Sequence, residues 1–237
     1  MNKIVLFDIE ASHLKADFGH MYCVAYKELG GGKPSVISVR DFPLFKKDNT
    51  SDKEVVKAFL RVLHSASMIV GHYSRRFDLP FVVTRMLANK IDDYVPRLPH
   101  VDTWELAVRN LALSSNRLAN ISEFLDISKK TPLEKREWQR AAGGHVASIK
   151  YIERHCVQDV IVLEETYKKL RFLSRTHPNV SIMENGTTSG CPVCGNVKLW
   201  KDGWYYGRVT ASQRYICPGC KASSMGKPAR QVGEGVR

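Results

Sequence analysis

The chain has 237 residues, 43% of them hydrophobic, and carries a formal net charge of +12. That size and composition fit one sizeable core plus a small appended module and exclude wholesale disorder. No apolar run reaches the roughly 18 residues a membrane-spanning helix needs, and Ile4 to Phe7 is too short for a signal peptide; a cytoplasmic protein is expected, and its basic excess favours a polyanionic partner, nucleic acid first.

Residues 3–10 read as a strand apolar on both faces, Ile4 and Leu6 on one, Val5, Phe7 and Ile9 on the other, as in the middle of a sheet. Residues 21–29 and 35–41 follow as two strands joined through Gly30, Gly31, Gly32 and Pro34, an antiparallel meander. Ser51 with Glu54 is a capping-box signature, opening a helix with Val55, Val56, Phe59, Leu60 and Leu63 at helical spacing. Next come a short strand at 68–71, a helix from Phe81 to Leu87 after Pro80, a short strand before Asp102, and helices over 103–112 and 117–126. The last large helix spans 146–172, with the apolar stripe Ile152, Cys156, Val160, Leu163, Tyr167 and Leu170. This order makes a mixed α/β layer domain over 1–173. Residues 174–190 are polar and rich in turn formers and read as a linker. Residues 191–220 form a small module, and 221–237 read as a mobile basic tail.

Asp8 and Glu10 lie two apart on the first strand, so both point to one face. Paired carboxylates on a buried strand repel each other and are costly to desolvate, and a divalent cation removes that cost. The ordinary alternative places residue 10 past the strand end in solvent. Asp78 follows a strand and opens a helix, where an acid is also a common N-cap. Asp159 shares a helix face with His155, four residues before it, and with Tyr151; a solvated polar face is the plain alternative.

Taken in order, these segments resemble the DEDD superfamily of 3′–5′ exonucleases, which has an RNase-H-like fold. The first motif of that family matches F-D-I-E with Asp8 and Glu10, the second matches Phe77-Asp78, and the third matches H-C-V-Q-D with Asp159. The likeness runs from residue 3 to about 172; H-V-D-T-W-E-L-A and R-L-A-N-I-S-E-F-L-D-I between the motifs look like family segments too. The resemblance implies two Mg²⁺ or Mn²⁺ ions, about 3.5–4 Å apart in such sites. Asp8 would bridge both, Glu10 and Asp159 would complete one site, and Asp78 would hold the other. His155 is the candidate general base; a histidine packed beside the sheet is its ordinary alternative. Three positions depart from the family. His155 stands at the spacing of the tyrosine subtype, Ala11 replaces the usual threonine, and Tyr73 occupies a position where asparagine is common. Tyr73 could stack on a base or fill the sheet edge.

Cys191-Pro-Val-Cys194 and Cys217-Pro-Gly-Cys220 have the pairing of a zinc ribbon. Gly195 and Gly219 would ease the two knuckles, and one structural Zn²⁺ would stabilise a module too small to fold otherwise. Lys198, Lys201, Arg208 and Arg214 interleave with Trp200, Trp204, Tyr205, Tyr206 and Tyr215, a mixture suited to phosphate contact and base stacking. Some of these aromatics are expected to form the ribbon's own core, and docking to a protein is the rival role. The resemblance, with the basic ribbon, therefore implies a metal-dependent 3′–5′ exonuclease acting on DNA, with single-stranded ends favoured. A ribonuclease or structure-specific endonuclease of the same fold and a non-catalytic nucleic-acid-binding adaptor are the alternatives.

Overall fold

The computed structural model describes residues 3–127 and 134–231. The chain divides into two compact units, Lys3–Tyr167 and a second from Lys168 onward.

The first unit is built on a five-stranded sheet in the order β3-β2-β1-β4-β5. Its strands are β1 (Ile4–Ala11), β2 (Met21–Glu28), β3 (Ser35–Ser38), β4 (Met68–Gly71) and β5 (His100–Asp102). β1, β2 and β3 pair antiparallel, while β4 runs parallel to β1, and β5 to β4. The two-sided apolar pattern of β1 reflects this central place: Ile4, Val5, Leu6, Phe7 and Ile9 are all buried. Phe7 packs on Phe59 of α1 (Lys53–Ser65), ring centroids 5.2 Å apart. On the other face Cys156 of α6 (Val146–Leu170) reaches Asp8. The sheet is thus covered on both faces, and every residue of the expected α6 stripe is buried.

Several local expectations shift. β3 stops at Ser38, because Ser38 and Asp41 form a capping box that starts a 3-10 turn instead of continuing the strand. The N-cap of α1 is Asp52, and no side chain caps it in the manner expected of Ser51 and Glu54. Asp52 is fully buried and accepts Met21 N–H, the Arg85 guanidinium and Asn89 Nδ2, tying β2 to α2 (Asp78–Ala88). α2 begins three residues ahead of Phe81, with Pro80 in its first turn, where a missing N–H costs nothing. α3 (Thr103–Asn110) and α4 (Leu118–Phe124) follow as expected, and α5 (Lys135–Ala142) was not foreseen.

The second unit corrects two boundaries. Residues 174–190, read as a linker, are partly helical. They contain α7 (Val180–Asn185), whose Val180 N–H donates to Pro192 O while Asn185 Nδ2 donates to Gly195 O. Nor is the chain after 220 a tail throughout. β8 (Ser223–Gln231) adds a third strand to the hairpin of β6 (Trp200–Tyr206) and β7 (Thr210–Ile216), because backbone pairing to β7 needs no apolar pattern. The remaining expected tail residues, 232–237, lie outside the described residues. Among the described residues no helix is long and apolar enough to cross a membrane.

Candidate active site and metal centre

β1 carries Asp8 and Glu10 toward α6, on the side opposite Phe7. α6 answers with His155 and Asp159, one turn apart and both buried. The ligand atoms of Glu10, His155 and Asp159 lie within 4.8 Å of one another. His155 Nε2 is 3.9 Å from Glu10 Oε1 and 3.8 Å from Asp159 Oδ2, beyond direct hydrogen bonding. Asp8 sits beside this group. Cys156 Sγ is 3.3 Å from the Asp8 backbone oxygen and 3.7 Å from Asp8 Oδ2. Burial pushes the Cys156 thiol well up, so it remains a neutral donor there.

Asp78 arrives from another direction. Parallel pairing of β1 with β4 ends at Leu6, so nothing from β4 meets Ile9 N–H. Asp78 Oδ1 accepts that N–H at 3.2 Å, which fixes the start of α2 to the backbone between Asp8 and Glu10. Burial raises its carboxyl to about 7, against the pull of the Ile9 and Asp78 N–H groups and with a smaller push from Asp102. A carboxyl held partly protonated by burial is one that a divalent cation would return to the charged form. The group of Glu10, His155 and Asp159 fits such an ion: two carboxylates and one imidazole, the histidine and Asp159 buried and Glu10 partly exposed.

The expected residues thus fall into a tight group of Glu10, His155 and Asp159, with Asp8 and Asp78 joined through the β1 backbone. Two positioning residues were missed. Asp102 accepts Tyr73 N–H (2.8 Å), Arg75 N–H (3.1 Å) and Trp104 N–H (3.0 Å), and so braces the loop leading to Asp78. An acid directly before a helix was the available signal. Trp138 of α5 donates Nε1–H to Ala11 O (3.2 Å) and sets its ring edge-on to His155, centroids 6.2 Å apart. Nothing in the polar α5 sequence announced it.

Tyr73 has φ 63°, a left-handed conformation costly for a tyrosine. The residue is 40% exposed, its ring meets Trp104 edge-on, and Arg76 lies 5.1 Å over the Trp104 ring. At Gly71 a Cβ would come within 2.1 Å of Ser74 Oγ, so only glycine lets this loop fold back so tightly.

In the second unit the four cysteine sulfurs lie within 4.8 Å of one another. Cys191 and Cys220 are 3.6 Å apart, and Cys194 and Cys217 3.5 Å, close to the roughly 3.8 Å edge of a tetrahedral zinc–thiolate site. The knuckles repeat one pattern: Gly195 N–H donates to Cys191 O, and Lys221 N–H donates to Cys217 O. The left-handed residues are Gly195 and Lys221, so the turn role expected of Gly219 falls to Lys221. Gly219 instead lets the knuckles approach, since a Cβ there would lie 3.0 Å from Asn196 Nδ2. The four cysteines can hold one zinc ion. The ribbon's core is Val193, Ala222 and these cysteines, with Leu199 packed on it. Four of the aromatics stand outside that core: Trp200, Trp204, Tyr205 and Tyr206 are exposed, while Tyr215 is half-buried.

No curated protein matches the sequence significantly. The RNase_H_2 model of the RNase H superfamily matches residues 5–171. Among solved structures, the family B DNA polymerase of the hyperthermophilic archaeon Pyrobaculum calidifontis is similar in fold, with a TM-score of 0.58 at 16% identity. The similarity covers 88% of this chain but 31% of the polymerase. A sheet of this order with acids on its central strand and last long helix agrees with that match, and the chain belongs to the RNase H superfamily.

Proposed function

We propose that the protein is a divalent-metal-dependent nuclease that hydrolyses DNA from its 3′ end, with single-stranded ends preferred. The observation that carries this reading is the convergence of Glu10, His155 and Asp159 in one group, near Cys156, which reaches Asp8. Asp8, Glu10, Asp78 and Asp159 would hold two Mg²⁺ or Mn²⁺ ions, for which carboxylate oxygens are suited ligands. When bound, the ions would supply an acidified water and charge to stabilise the departing 3′ oxygen. His155, its ring flanked by Trp138 and its Nε2 turned toward both carboxylates, would accept the proton of the attacking water. Asp78 would keep the β1 backbone in place through Ile9 N–H, and Tyr73 would receive the terminal base beside Trp104 and Arg76. In the second unit Lys198, Lys201, Trp204, Arg208 and Arg214 would hold the strand, with zinc fixing the fold that presents them. Likeness to a DNA polymerase favours DNA over RNA.

End-labelled DNA and RNA, single- and double-stranded, incubated with Mg²⁺, Mn²⁺ or EDTA test this reading. Wild type should shorten DNA stepwise from the 3′ end with either metal, and Asp8→Ala should not. Absence of metal-dependent cleavage, or equal cleavage by the variant, would contradict it. Internal products would assign an endonuclease, faster loss of RNA a ribonuclease, and binding without cleavage an adaptor.

A further inference from the structure

The second unit contains a cleft of about 840 Å³ bounded by residues of the 174–190 segment and of the three-stranded sheet. Pockets that bind small organic ligands span about 300–1,000 Å³. Tyr205 and Tyr215 line the cleft with Arg175 and Arg214, and among the described residues no carboxylate does. Gly226 keeps room beside the Tyr215 ring, since a Cβ there would stand 3.2 Å from Tyr215 Cε2. Arg214 Nε donates to Asp202 O at 2.9 Å, which orients the guanidinium, and its Nη2 lies 3.3 Å from Asp202 Oδ2. That ion pair is half-exposed on both sides and so is readily exchanged for a stronger anion. Residues 191–231 carry a net +6, half of the chain's +12, with Asp202 the lone acid.

We propose that this cleft binds single-stranded nucleic acid, an unpaired base lying against Tyr205 and Tyr215 and its flanking phosphates against Arg175 and Arg214. Tyrosine faces bind every base with little regard to sequence, and arginine forks match phosphate oxygens. In a duplex the base faces are buried in the stack, so a concave aromatic wall selects unpaired nucleotides. The inference rests on the reading that the second unit meets nucleic acid. It adds the position and a role for Arg175, which lies outside the cysteine module.

Fluorescence anisotropy of a short labelled oligothymidylate measures the binding, with full-length Asp8→Ala protein as the background so that the strand stays intact. Tyr205→Ala and Arg175→Ala alter exposed side chains, and zinc content checks that each variant is folded. Each should weaken the complex about tenfold. Arg175→Ala should also reduce the salt slope by about 0.7, as expected for one lost phosphate contact on a single strand. Tyr205→Phe should bind as the background does, and Asp202→Asn should bind more tightly. A duplex of the same length should bind more weakly and ignore Tyr205→Ala. Unchanged affinity in both alanine variants, or equal losses on the duplex, would overturn the proposal. If the background protein binds no strand at all, the nucleic-acid reading of the second unit fails with it. If it binds but the variants change nothing, the cleft assignment alone fails.

Discussion

Replacing Asp102 tests how the loop before Asp78 is held. Oδ1 accepts Tyr73 and Trp104 N–H, and Oδ2 accepts Arg75 N–H. Asp102→Asn keeps the first oxygen but sets an amide donor against Arg75 N–H. With hydrogen bonds to charged groups contributing about 1.5–3 kcal/mol each, that change should cost about 2 kcal/mol. Asp102→Ala removes both acceptors, and because the half-buried loop amides regain some water the cost should be about 4 kcal/mol. For a chain of this size these losses lower Tm by about 4–8 °C and 8–16 °C. Thermal unfolding followed by circular dichroism, with kcat of the proposed nuclease measured below the transition, separates the outcomes. Activity should fall in the same order, since the displaced loop carries Asp78 with it. Equal destabilisation by Asn and Ala would refute the assignment of bonds, and full kcat in a destabilised Asn variant would refute the positioning role.

Gly71→Ala drives a Cβ into Ser74 Oγ and should cost about 1–3 kcal/mol in urea unfolding, with Ser74→Gly in the same chain restoring most of it. Asp78 titrates near 7 in the folded chain rather than near 3.8, so without divalent metal it binds an extra proton in the native state and stability falls as pH rises between those values. His100, lowered to about 4 mainly by burial, acts with the opposite sign below 6.5. The measurement is therefore the difference between wild type and Asp78→Asn in metal-free buffer, which should show the falling limb, and saturating Mn²⁺ should abolish it. Purified protein should hold about one zinc per chain. Cys191→Ser should lose it and become protease-sensitive within 191–231, as a module with so small a core requires.

The sheet of the first unit was legible because its core strands are long apolar runs and its helices carry clear stripes. The candidate site was read for a different reason: Asp8, Glu10, Asp78, His155 and Asp159 keep a recognisable order along the chain, and the fold groups Glu10, His155 and Asp159 while Asp78 bonds Ile9 N–H between Asp8 and Glu10. What stayed hidden carries no periodic signal. α5 buries only Ala141 fully and contributes Trp138 through one indole bond, so its sequence looks like a solvated segment. β8 contains Gly226 and Pro228 and joins the sheet by pairing with β7, without an apolar run to announce it. Ser51 and Glu54 have the spacing of a cap, yet the buried Asp52 takes the position because three other partners compete for its carboxylate. Some of the ribbon aromatics were expected in its core, but four cysteines and a few small apolar residues fill that space and leave Trp200, Trp204, Tyr205 and Tyr206 exposed.

Anomalous diffraction at the manganese edge, from crystals soaked in Mn²⁺, tests the metal centre most directly. Peaks coordinated by Glu10 and Asp159 and by Asp8 are the expected result, with the Asp159→Asn crystal losing one of them. Manganese bound elsewhere, or no peak beside these carboxylates in active protein, would contradict the two-metal nuclease.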